Sequence, residues 1–202
     1  NKKSTYETDL FLPIIKKIEE ISNFSFTESD RVKVAFRVIA DHIRAIVFCL
    51  GDGQIPSNNG AGYVIRRILR RAIRYGFVFL DLKEPFLYHL VNILSIQFKD
   101  VFPNIFSDID SLKKIIKDEE KLFLKTLQKG LLLIDNLVQN SSSNKISGSK
   151  VFELYDRYGF PKDLTALILK EKSMSFDEKE YQICLNKQKE RSRNASIMDV
   201  KD

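Results

Sequence analysis

The chain has 202 residues, 44% of them hydrophobic and 30% charged, and a net charge of +6. That is one large domain or about one and a half by length, and the composition excludes disorder; 8 Gly and 5 Pro argue against a turn-rich all-β fold. Two cysteines are too few for a disulfide scaffold and point to a reducing compartment, and no apolar run approaches the roughly 18 residues that cross a bilayer.

The opening Asn1-Lys2-Lys3-Ser4 has neither an initiating Met nor a secretory segment, and reads as part of a longer cytosolic chain. Apolar residues at 10, 11, 14, 15 and 18 predict a helix over 9–21. Thr27-Glu28-Ser29-Asp30 reads as a helix N-terminus. The helix after it, about 30–50, is expected to turn Val34, Val38, Ala45 and Phe48 to a core and to stop at Gly51-Asp52-Gly53. Residues 51–62 carry every turn signal. A helix restarts near Tyr63 and is expected to end at Gly76. Residues 84–98 predict another, with Pro85 in its first turn.

A long helical pattern covers 107–139 through Leu112, Ile115, Ile116, Leu122, Phe123, Leu127 and Leu131. Residues 140–149, rich in Ser and Asn, read as a flexible linker. Short helices are expected at 151–158, closed by Gly159, and at 163–171, with a charged helix over 176–192. The reading is all-α: a helical bundle at 1–139, the linker at 140–149, and a smaller helical unit at 150–202.

Charge is concentrated. Residues 31–76 hold nine Lys/Arg (Arg31, Lys33, Arg37, Arg44, Arg66, Arg67, Arg70, Arg71, Arg74) against Asp41 and Asp52, a net +7, while the remainder of the chain sums to −1. On a helical wheel Arg66, Arg70, Arg74, Arg67 and Arg71 span roughly 0° to 140°, and the apolar residues of that helix fall between roughly 160° and 340°. This predicts a face of guanidinium groups, whose planar fork matches phosphate oxygens. No acid in the helix pairs with them; acids on a neighbouring helix could. Gly60 and Gly62 precede the helix, whose free N–H groups could bind an anion.

Catalytic patterns are lacking. His42 and His89 lie on different predicted helices, and no HxxH, CxxC or HExxH spacing occurs. Cys49 and Cys184 read as core residues and His42 as a structural histidine. There is no P-loop and no nucleophile elbow. By residues alone this is a binding module. A helix-turn-helix DNA binder is a third option, disfavoured by the length of the 51–62 loop.

Three blocks make the pattern specific: Tyr6-Glu7-Thr8-Asp9-Leu10-Phe11; Arg37-Val38-Ile39-Ala40-Asp41-His42-Ile43-Arg44-Ala45 with Asp52 to Asn58 and Gly62 to Ala72; and Leu154-Tyr155-Asp156-Arg157-Tyr158-Gly159-Phe160-Pro161-Lys162-Asp163. In order and spacing the chain resembles alanyl-tRNA synthetase, over nearly its whole length. The resemblance implies the helical tRNA-recognition region between the class II catalytic domain and the editing domain. It implies a fragment with no cofactor of its own, ATP and Mg serving the parent's catalytic domain and Zn its editing domain. The implied partners are the acceptor stem of tRNA(Ala) and the other domains of the parent in the cytoplasm, with no membrane and no DNA.

The family reads a G·U wobble pair, and the matching positions are Asn58 and Asp156. Arg66, Arg67, Arg70, Arg71 and Arg74 would supply phosphate attraction. A-form RNA shows a shallow minor groove, where the guanine 2-amino group is a donor. A carboxylate can accept from it, and an Asn amide can meet the amine and the uracil carbonyl together. By residue type alone, Asn58 is equally a turn residue and Asp156 a helix-end residue. Where the family usually has Arg between its two glycines, this chain has Ala61, to which no role is assigned. The alternative is a helical spacer or protein-interaction module in which the arginines pair with acidic helices.

Overall fold

The computed structural model describes residues 4–158 and 160–198, with side chains through Glu190. Among these residues the fold is helical: α1 (Leu12–Ser22), α2 (Asp30–Gly51), α3 (Gly60–Phe79), α4 (Leu90–Phe98), α5 (Ile109–Gln139), α6 (Gly148–Tyr158), α7 (Lys162–Glu171) and α8 (Glu178–Met198). Two strands, β1 (Lys145–Ile146) and β2 (Ser175–Phe176), pair in parallel with Ile146 opposite Phe176. The all-α expectation holds. The chain divides into two compact units, 1–124 and 125–202. The division falls inside α5, whereas the sequence reading puts its boundary after residue 139.

In the first unit α2 packs along α3 and against α1 and α4. Ser29 caps α2, its hydroxyl accepting from the Val32 N–H at 3.3 Å. The buried face of α2 is Val32, Ala35, Phe36, Ile39, Ile43, Ile46, Val47 and Leu50. This corrects the expected face: Val34 is 45% exposed, Ala45 is exposed, and Val38 and Phe48 are half-buried. Apolar residues occur all around this helix, so the i, i+3, i+4 rhythm fits more than one stripe. Phe48 still meets Phe98, Phe102 and Phe106 edge-on at 5.3 to 6.0 Å between centroids, the favoured aromatic geometry.

Gly76 does not end α3. It lies inside the helix against the ring of Phe86, where a Cβ would collide with that ring. Its role is close approach, which sequence cannot tell from a C-terminal stop. The expected helix over 84–98 is shorter, a 3-10 turn at Leu87–His89 running into α4. The backbone N–H groups of Phe86 and Leu87 donate to Glu120 Oε1 at 3.0 Å each, and that of Tyr88 donates to Oε2 at 3.4 Å. Glu120, fully buried on α5, thereby satisfies the amides at this helix start. Burial pushes its carboxyl up to about 7, against the opposing pull of these three N–H groups and Lys117.

In the second unit α6 packs on α8 and α7. Phe160, Val151, Leu154, Ile168 and Tyr181 are buried. Residues 145–146, inside the expected linker, form β1, tied further by the Lys145–Asp177 ion pair at 2.7 Å. A two-residue strand leaves no periodicity to read. Gly159, expected to close α6, lies outside the described residues.

Candidate nucleic-acid interface

The loop before α3 is shaped by close packing. The Ser57 hydroxyl donates to the Asn59 carbonyl at 2.7 Å and accepts from the Asn59 N–H at 3.3 Å, a local turn typical of Ser. Helix α3 begins at Gly60, three residues earlier than expected, so Gly60 and Gly62 lie in its first turn. Gly62 is buried against the loop: a Cβ there would run into the Ile55 carbonyl and Ser57. Glycine thus lets the helix press on the 55–57 backbone and holds the loop in place. Ala61 is exposed.

The five arginines do not form one outward face. Arg67 and Arg71 are exposed, Arg66 and Arg70 are half-buried, and Arg74 is only 2% exposed. Arg66 turns inward to α5. Its Nε donates to Glu119 Oε2 at 3.2 Å and its Nη2 to Oε1 at 2.6 Å, the two-pronged geometry of the stronger Arg–carboxylate pairs. Nη2 also donates to the Pro56 carbonyl at 3.2 Å, and Nη1 donates to Asn58 Oδ1 at 2.6 Å. Arg70 lies 5.1 Å over the Phe123 ring, and Arg74 and Arg71 lie 5.7 and 5.9 Å from that of Tyr75. A wheel carries no neighbours: α5 meets Arg66 and Arg70, and Arg74, near the middle of the expected arc, is buried.

Asn58 is exposed, with its carbonyl held by Arg66. Asp156, on α6 in the second unit, is exposed, and its side chain makes no hydrogen bond or ion pair among the described residues. Beside it, Arg157 is taken by Glu153 at 2.8 Å and Tyr155 is 42% exposed. Asn58 and Asp156 therefore belong to different units.

Two basic groups outside α3 escaped the sequence reading as site features. Arg37 stacks 5.1 Å over Tyr6, and Arg44 stacks 4.5 Å over Phe11. Their seven-residue spacing on α2 was a signal; the aromatic partners, from the Tyr6–Phe11 block, were not predictable. Glu119 was missed because its partner lies 53 residues away. His42 is held below the ordinary histidine range by burial and by Arg71, partly offset by Asp41. Burial and Lys17, Lys117 and Lys113 likewise lower His89. Among the described residues no three His, Cys, Asp or Glu side chains gather to hold a metal. Cys49 and Cys184 are free and half-buried, less enclosed than expected. No described helix is long and apolar enough to cross a membrane.

The model of the family described as tRNA synthetases class II (A) matches residues 1–201. The chain belongs to that family. It is 52% identical over 202 residues to an alanine–tRNA ligase of Christiangramia forsetii, covering all of this chain and 23% of the relative. It is 49% identical to that of Flavobacterium psychrophilum, covering all of this chain and 24% of the relative. It is 44% identical over 197 residues to that of Staphylococcus saprophyticus, covering 96% of this chain and 22% of the relative. The chain thus spans less than a quarter of the length of the curated relatives it matches. The matched residues include α2, α3, α6 and α7.

Proposed function

We propose that this chain is the part of an alanine–tRNA ligase that holds the acceptor stem of tRNA(Ala) and reads its G·U wobble pair. The observation that carries this reading is that Asn58 and Asp156, the positions implied by the resemblance, are each exposed polar side chains, in a chain whose residues 31–76 are strongly basic. Asn58 and Asp156 meet the minor groove of the stem, where a wobble pair leaves the guanine amine unused by its partner base. Arg67 and Arg71, the exposed arginines of α3, attract phosphates; Arg70 contributes from its half-buried position, and Arg66 and Arg74 act chiefly within the protein. On this reading the joining of alanine to tRNA, with ATP and Mg, and the Zn-dependent editing step belong to other domains of a cytoplasmic parent enzyme. This segment holds the substrate for them.

The test is charging of minihelices by the full-length enzyme. Wild type is expected to charge a G·U stem far better than a G·C stem; equal charging ends the assignment. A second reading, a helical spacer without RNA contact, draws on the Arg66–Glu119 pair, which spends one arginine internally. Filter binding against tRNA at two salt concentrations separates them: RNA binding through phosphates weakens steeply with salt, and a spacer binds at neither.

A further inference from the structure

We propose that Glu119 is a positioning residue for wobble-pair recognition, acting through Arg66 to fix the side-chain amide of Asn58; this rests on Asn58 reading the pair. One guanidinium makes four hydrogen bonds: two to Glu119, one to the Pro56 carbonyl and one to Asn58 Oδ1. The ion pair is largely enclosed, with Arg66 and Glu119 side chains 20% and 15% exposed, so it is less screened than a surface pair. The loop end of the network is pinned as well, because α3 closes on residues 55–57 at Gly62.

An exposed asparagine needs no protein partner, since water serves both ends of its amide. This one has a cation at one end. Guanidinium is a donor only, so the atom it holds is the amide oxygen. Nδ2, with two donor hydrogens, is left facing away from the cation, and no described residue accepts from it. Asn58 thus presents donors to the groove and meets an acceptor, such as the uracil O2. The guanine amine, itself a donor, falls to Asp156. This narrows the role expected from sequence, in which Asn58 meets both bases. The brace also removes rotamer freedom before RNA arrives, lowering the ordering cost of binding.

The experiment compares kcat/KM on G·U and G·C minihelices for the full-length enzyme and its N58A, E119Q, E119A and N58A/E119Q variants. E119Q keeps the side-chain volume and decides the matter if E119A proves insoluble. The G·U to G·C ratio is expected to fall about tenfold in E119Q and at least as far in N58A. The double variant should be no lower than N58A alone, because the brace acts only through that amide. Glu119→Asp should recover part of the ratio. If E119Q lowers both stems in proportion, or multiplies with N58A, Glu119 is a structural residue and the proposal is overturned. If N58A itself leaves the ratio unchanged, the reading of Asn58 fails and takes the brace with it.

Discussion

Asn58 and Asp156 are both exposed polar residues, yet their surroundings differ in kind. Asn58 sits on a loop pressed by α3 and tied through Arg66 to α5. Asp156 stands on α6 with no protein partner among the described residues. One group is oriented before any ligand arrives; the other is a solvated carboxylate that a donor can take from water. A neutral amide is ambiguous, because its ends exchange by a flip, and it needs a brace to be specific. A carboxylate accepts through either oxygen and needs none.

The contrast can be broken at its base. Glu120→Ala should cost about 3 kcal/mol of stability in urea denaturation, since it strands the amides at 86–88 and loosens α5, which carries Glu119. The wild-type carboxyl titrates higher folded than unfolded, so the native state binds the extra proton between roughly pH 4.5 and 7. Its contribution is fully present below that window and is lost as pH rises through it. Glu120→Gln should flatten that decline; an equally steep decline would show the carboxyl is not its source. Next in size, Gly62→Ala should cost about 2 kcal/mol by forcing α3 off the 55–57 backbone and should lower the G·U to G·C charging ratio as well. Asp156→Ala should lower discrimination by ~1–3 kcal/mol and leave the melting curve within about 0.5 kcal/mol of wild type. Effects of the same sign on folding at both sites would erase the distinction. Smallest, Arg67→Gln and Arg71→Gln should each reduce the slope of log K against log salt by about 1. Arg74→Gln should leave the slope alone and lower stability, because that side chain is buried.

Much of the architecture was legible. Helical rhythm and caps located most helices. The buried stripe of α2 was misread because that helix offers apolar residues on several sides. Gly76 was misread because a glycine that admits a ring looks in sequence like one that ends a helix. Asn58 and Asp156 were singled out through the resemblance, whereas no motif or spacing in the sequence marked Glu119 or Glu120. Only the packing of α5 reveals that one holds a guanidinium and its neighbour a helix start.

The most direct measurement replaces the guanine of the wobble pair with inosine, which lacks the 2-amino group. Charging of the guanine and inosine stems is then compared for the full-length enzyme and its Asp156→Ala variant. Wild type should lose ~1–3 kcal/mol of transition-state stabilisation on the inosine stem, and the variant should charge both stems equally. A variant that still prefers guanine as strongly as wild type would contradict minor-groove recognition by Asp156.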